Sequence, residues 1–147
     1  MGAFGRDLIR HFGGDLDDYD GNKPIEGKSV FKEIIAGSRN FTDYNFLRKK
    51  CDRILSNIKD EIWILSGCAK GADSLGEQYA QERGYYLAEF PANWDLHGKK
   101  AGVLRNEEMA READALIVFI KNQSRGSLDM LRRAEQKGLK IREFDLK

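Results

Sequence analysis

Short runs of apolar residues alternate along this chain with longer segments of helical period. That alternation restricts the fold more than any other feature of the sequence. The runs 30–36, 62–65, 85–90, 115–120 and 139–144 are β-rich, of strand length and nearly continuous in apolar character. Between the first two, the spacing predicts a helix over 44–58, with Leu47, Cys51, Ile54, Leu55 and Ile58 on one face and Thr42 or Asp43 as its cap. Further helices are predicted over 72–83, 101–113 and 127–137. Gly84 and Gly138 stand where a helix end favours glycine. The stretch 91–100 reads as the longest irregular segment, and 121–125 as a polar loop.

Apolar strands alternating with helices are the signature of a parallel sheet buried on both faces, joined by right-handed crossovers. The expected fold is therefore α/β: a Rossmann-like open parallel sheet of about five strands with helices on both faces. The length of 147 residues suits one such domain. Residues 1–29 stand apart, being rich in Gly and carrying the acidic patch Asp15-Leu16-Asp17-Asp18-Tyr19-Asp20. They are expected to form a flexible or loosely docked N-terminal arm, with a short helix around 6–12, ahead of the domain at 30–147. The patch lacks the spacing of a calcium loop, whose Gly would fall one place earlier.

Several function classes lose support from composition. With 25 Lys+Arg against 24 Asp+Glu the formal net charge is +1. A dedicated duplex-binding domain carries a strong basic excess, so nucleic acid is disfavoured as a partner, though a local basic pocket stays open. Cys51 and Cys68 form no CxxC, and neither His11 nor His97 is near them in sequence. The expectation is no metal site, no cofactor and reduced thiols in a cytoplasmic protein. No apolar run is long enough for a membrane span, and no membrane partner is expected.

In an open parallel sheet, ligands bind beyond the carboxyl ends of the strands. Three such ends carry similar loops: Gly37-Ser38-Arg39-Asn40; Ser66-Gly67-Cys68-Ala69-Lys70-Gly71-Ala72-Asp73; and Asn122-Gln123-Ser124-Arg125-Gly126-Ser127. Each contains Gly for close backbone approach, a hydroxyl donor and a cation, and each leads towards a helix N-terminus. Free N–H groups and the positive end of a helix dipole favour an anion, and Arg offers phosphate a bidentate fork. Ordinary tight turns would use the same residues. Neither GxGxxG nor GxxxxGK[ST] is present, which disfavours a standard dinucleotide site and a P-loop, and no GxSxG elbow anchors a hydrolase triad.

The same residues carry a resemblance. Ile34-Ile35-Ala36-Gly37-Ser38-Arg39, then Ile64-Leu65-Ser66-Gly67-Cys68-Ala69-Lys70-Gly71-Ala72-Asp73 with Leu75-Gly76-Glu77, then Ala101-Gly102 with Arg105-Asn106 and Met109-Ala110, then Ser124-Arg125-Gly126-Ser127 with Met130, together resemble the SLOG superfamily. More narrowly they are similar to its YspA-like, cpYpsA-related branch. The superfamily includes the LOG phosphoribohydrolases and the domain of DNA-processing protein A. The resemblance spans about residues 30–146. It implies a fold that holds nucleotides or nucleotide-derived signals at the strand ends. Some relatives split a nucleoside monophosphate, some sense ADP-ribose-like signals without chemistry, and the DNA-processing branch binds single-stranded DNA.

Three departures matter. Aligning Gly126-Ser127 with the Gly-Thr of the LOG pattern puts Met130 where the catalytic Glu stands, and a thioether is neither acid nor base. Asp129 is adjacent but about 100° away around a helix. Cys68 stands where Gly is usual, and Ser127 where Thr is usual.

The expected ligand and phosphate contacts are Gly37, Ser38, Arg39, Ser66, Gly67, Lys70, Gly71, Asp73, Glu77, Arg105, Asn106, Ser124, Arg125, Gly126 and Ser127. Asp73 and Glu77 share a helix face and are the candidates for acid–base work, although Asp73 also suits a first helical turn. Trp94, Asp95 and His97 lie in the long loop, where lids and base-stacking elements occur. The expected function is binding of a phosphorylated, nucleotide-derived small molecule as a sensor or sequestering module. A nucleotide N-glycosidase and an interaction domain for single-stranded nucleic acid or protein are the alternatives. A homodimer stays open, with Phe46, Trp63, Tyr85 and Tyr86 as interface candidates or core.

Overall fold

The computed structural model describes residues 10–11 and 29–146. Five parallel strands form the sheet expected from the alternation: β2 (Val30–Gly37), β3 (Glu61–Ser66), β4 (Tyr86–Glu89), β5 (Ala115–Lys121) and β6 (Lys140–Leu146). A two-residue strand β1 (Arg10–His11) pairs antiparallel with β4, so the helix expected around 6–12 is not what these two residues form. The rest of the arm lies outside the described residues. The sheet order is β1-β4-β3-β2-β5-β6. The chain leaves β2 in one direction, through β3 to β4, then crosses back to β5 and β6. The reversal makes the β2–β5 boundary the topological switch point, where open α/β sheets place their ligands.

The helices are α1 (Tyr44–Leu55), α2 (Ala72–Arg83), α3 (Trp94–His97), α4 (Ala101–Glu112) and α5 (Arg125–Gln136). Within a strand, successive side chains point to opposite faces, and both faces here are covered. On one face Ile35, Ile64, Ile117 and Phe119 pack with Leu47 and Cys51 of α1 and Tyr79 of α2. On the other, Ile34, Leu65, Leu116 and Val118 pack with Met109 of α4 and Met130 of α5. Trp63 and Tyr86 are buried, with ring centroids 5.6 Å apart, and belong to the second face. Among the described residues, no helix is long and apolar enough to cross a membrane.

The helix ends follow local chemistry. Asp43 accepts from the Phe46 N–H at 3.0 Å and starts α1. Gly84 ends α2 in the left-handed conformation, φ 72°. The segment expected to be irregular is mostly helical. Asn93 accepts from the Leu96 N–H at 3.0 Å to start α3, and a 3-10 turn over Gly98–Lys100 runs into α4. A four-residue helix leaves no room for an apolar period, so no pattern marked it in the sequence.

Candidate functional site

The three Gly-containing loops meet at the carboxyl ends of β2, β3 and β5. Two glycines make the meeting possible. A Cβ on Gly37 would lie 2.2 Å from the Phe119 carbonyl oxygen. A Cβ on Gly71, whose φ is +77°, would lie 2.3 Å from the carbonyl oxygen of Ser38 and 2.4 Å from that of Arg39. Only glycine lets the β2 and β3 loops approach this closely. Ser38 then fastens β2 to β5: its buried hydroxyl accepts from the Lys121 N–H at 2.7 Å and donates to the Lys121 carbonyl at 3.0 Å.

Between these loops lies a cleft of about 470 Å³ at the switch point. Gly37, Arg39, Asp73, Arg105, Asn106, Ser124, Gly126 and Ser127, all expected from the sequence, line it. Asn40, Ala69, Lys121 and Asn122 also line it and were not expected. The one legible sign of Lys121 is that it is the first cation after an apolar strand, as Arg39 is after β2. Met109 and Met130 are 1% exposed and belong to the core as expected, and both also line the cleft. Met130 thus faces the cleft from the position where the LOG pattern has its Glu. Asp129 is turned away, accepting from Asn106 Nδ2 at 2.9 Å and pairing with Arg133 at 3.1 Å.

The remaining expected residues lie outside the lining. The Ser66 hydroxyl, wholly buried, donates to Glu77 Oε2 at 2.6 Å and accepts from the Cys68 N–H at 3.1 Å. Glu77 thereby braces the β3 loop from beneath. Gly67 packs under Arg105: a Cβ there would lie 2.7 Å from its Nη1. Lys70 and Arg125 are exposed beside the cleft.

Arg105 is the most tightly held cation of the site. Its Nη1 donates to the Gly67 carbonyl, and its Nε donates to Asn106 Oδ1 at 2.9 Å. Asn106, itself buried, is fixed in turn by Asp129. The guanidinium is therefore oriented before any ligand arrives, which lowers the cost of binding. Burial pulls Arg105 down from its ordinary pKa, and the charge of Asp73 opposes that. Asp73, 6% exposed, is pushed up to about 6 by burial, against Arg105 and the Ala69 N–H, which donates to Oδ2 at 3.2 Å. Near neutrality this carboxyl, the one that lines the cleft among the described residues, is close to its titration point, in a lining that also holds Arg39, Arg105 and Lys121.

Helix α5 points its N-terminus at the cleft. Its cap Ser124 accepts from the Ser127 N–H at 3.5 Å and from the Ser127 hydroxyl at 3.2 Å. A Cβ on Gly126 would meet nothing within 4 Å, so this turn is open. The backbone reaches it through Asn122 (φ 58°) and Gln123 (φ 52°), consecutive left-handed residues. Such conformations cost about 1–2 kcal/mol for side chains larger than Asn, and they cluster at binding sites.

Spacing in the sequence indicated no metal site, yet among the described residues the fold gathers one mixed donor set. Cys68 Sγ and carboxylate oxygens of Glu77 and Glu89 lie within 4.8 Å of one another. Desolvation, with Glu77 and Glu89 adding to it, pushes the Cys68 thiol up to about 12. The thiol is protonated near neutrality, and a metal would have to displace that proton.

The chain is 32% identical over 117 residues to the gene 61 protein of Mycobacterium phage D29, an alignment covering 76% of this chain and 94% of the relative. In fold it is similar to DNA processing protein A of Helicobacter pylori, a structure described for its single-stranded DNA binding mode (TM-score 0.58, 17% identity, 80% of this chain). It is equally similar to DNA processing protein A of Streptococcus pneumoniae (TM-score 0.58, 19% identity, 78% of this chain). The chain spans 66% and 50% of those two proteins. These neighbours overturn the expectation that nucleic acid is disfavoured. A net charge near zero averages over the surface, whereas Arg39, Arg105 and Lys121 stand together around one cleft. Residues 32–97 match the YspA, cpYpsA-related SLOG family, and with the phage relative this establishes that the chain belongs to that family.

Proposed function

We propose that the cleft at the β2–β5 switch point binds a phosphorylated, nucleotide-derived small molecule, and that the protein acts as a sensor or sequestering module. Family membership and fold support a nucleotide or nucleic-acid binding role. The observation that carries the finer reading is the set of three cations, Arg39, Arg105 and Lys121, around one cleft with the open N-terminus of α5. Fixed guanidinium groups and helix N–H groups together suit a phosphate. Binding without turnover is favoured because Met130 and the engaged Asp129 leave no acid or base at the LOG glutamate position.

The test is a thermal-shift panel of nucleoside monophosphates, ADP-ribose, cyclic nucleotides and NAD. Saturating ligand at a hundred times its Kd adds about 2.7 kcal/mol of stability, a shift of several degrees for a domain of this size. Arg39→Ala, at an exposed position, should abolish the shift without unfolding the chain. No shift with any compound would reject the reading. Overnight incubation of the ligand that shifts, followed by chromatography for free base, separates binding from hydrolysis by Asp73. A single-stranded nucleic acid ligand is the second reading, favoured by the fold neighbours. It predicts oligonucleotide retardation that weakens steeply with salt.

A further inference from the structure

We infer that Trp94 is a stacking platform for the base of a nucleoside monophosphate whose phosphate sits in the Arg39–Lys121 cleft. The inference rests on the nucleotide reading of that cleft and adds where the base goes.

A second cleft, of about 780 Å³, lies beside the first, between α3 and α4. Arg105 lines both, so the two clefts adjoin at that residue. Trp94 opens onto the second cleft and is 51% exposed, a large apolar surface to leave in water. Its position is fixed locally. Asn93 caps α3, and the indole edge lies against α4 at Gly102. A Cβ on Gly102 would be 3.4 Å from Trp94 Cη2 and 3.8 Å from Arg105 Nη2. The ring and the guanidinium thus both come close to the same point on α4. A base on the indole and a phosphate beyond Arg105 then become two parts of one ligand.

Charge decides which end goes where. Among the described residues, the first cleft sets Arg39, Arg105 and Lys121 against Asp73 alone. The second is lined by Asp95, Glu107, Glu108 and Glu112 with His97, Arg105 and Arg111, and its Glu107 is paired with Arg111, Arg133 and Lys137 and its Glu112 with Lys32. The first is the more basic of the two, so the phosphate goes there. An uncharged base needs no such cation and can lie beside Trp94. Stacking tolerates any base, because each has a π-face. The platform therefore predicts affinity for nucleotides as a class, without strong base preference.

Calorimetry with ribose 5-phosphate and with AMP, GMP, CMP and UMP tests this on the wild-type chain, Trp94→Ala and Trp94→Phe. Because Trp94 is half-exposed, both variants should keep the wild-type thermal midpoint. The wild type should bind every monophosphate roughly tenfold tighter than ribose 5-phosphate, a ratio within the range of one base stack. Trp94→Ala should erase that ratio, and Trp94→Phe should keep most of it. All three should bind ribose 5-phosphate equally. A ratio that survives Trp94→Ala overturns the inference and leaves the phosphate cleft standing. So does a wild type that binds ribose 5-phosphate as tightly as the nucleotides. Failure of all five compounds to bind the wild type overturns the platform, whereas the nucleotide reading itself falls only if ADP-ribose, cyclic nucleotides and NAD fail to bind as well. A short single-stranded DNA run alongside identifies the source of the unit. Tighter, salt-dependent binding that Trp94→Ala weakens points to a strand, and weaker binding than the monophosphates points to a free nucleotide.

Discussion

Glu33 offers the sharpest physical test of the structure. It sits mid-strand on β2, 1% exposed, and its Oε2 has no hydrogen-bond partner. Burial pushes its pKa up from 4.5 to about 8. Arg142 and Lys140 on β6 oppose the shift, and Asp114 adds to it. The folded state thus holds a proton on Glu33 that the unfolded chain releases above pH 4.5. Between those two values the native state binds more protons, so stability falls as pH rises, and the loss is complete above pH 8. At about 1.4 kcal/mol per pH unit, the loss between pH 5 and pH 8 is roughly 4 kcal/mol. That is a large share of the 5–15 kcal/mol typical of a domain. Glu33→Gln keeps the shape and removes the titration. The variant should match the wild type at pH 5 and exceed it by roughly 4 kcal/mol at pH 8, in urea unfolding at both values. Asp73 titrates in the acidic part of the same window, but in both proteins, so it cancels in the difference. A variant and wild type that keep a constant difference from pH 5 to 8 would refute the claim that Glu33 is buried as the neutral acid.

Three substitutions test the loops. Gly71→Ala places a methyl 2.3 Å from the Ser38 carbonyl oxygen at φ +77°; it should cost at least about 2 kcal/mol in urea unfolding, and an unchanged midpoint would show that the β2 and β3 loops are not pressed together. Cys68 holds φ +66°, so Cys68→Gly should gain about 1 kcal/mol, whereas a loss would mean the thiol contacts outweigh the backbone strain. Ser38→Ala removes both bonds to the Lys121 backbone and should cost about 1–3 kcal/mol; its effect on ribose 5-phosphate affinity then reports whether Lys121 must be held by Ser38 to reach the anion.

The layered fold was legible because its cause is local and repetitive. The apolar runs at 30–36 and 115–120 have nowhere to go but a sheet covered on both sides, and β2 and β5 occupy those places. Helix α2 begins and ends where the pattern puts it, at Ala72 and Arg83, because Gly71 and Gly84 mark both ends chemically. The candidate residues of the cleft were legible for a related reason. Strand-end loops with Gly, Ser and Arg converge in any open parallel sheet, whatever its details.

Roles within the loops were not legible, because they depend on where a side chain finds its partner. Ser38 and Ser66 look like ligand donors in sequence, yet their hydroxyls are taken by Lys121 and Glu77. Lys121 looked like loop and lines the cleft. The set of Cys68, Glu77 and Glu89 draws on the β3 loop, α2 and β4, and has no spacing to read. The sequence by itself determined the order of the elements and the edge at which the polar loops gather, since periodicity and glycine placement act over a few residues. The tertiary structure alone decided that Arg105 lines both the switch-point cleft and the cleft beside Trp94, and that Glu33 is buried with its Oε2 unbonded. Both depend on residues brought together from different elements, and contacts of that kind leave no trace in local sequence.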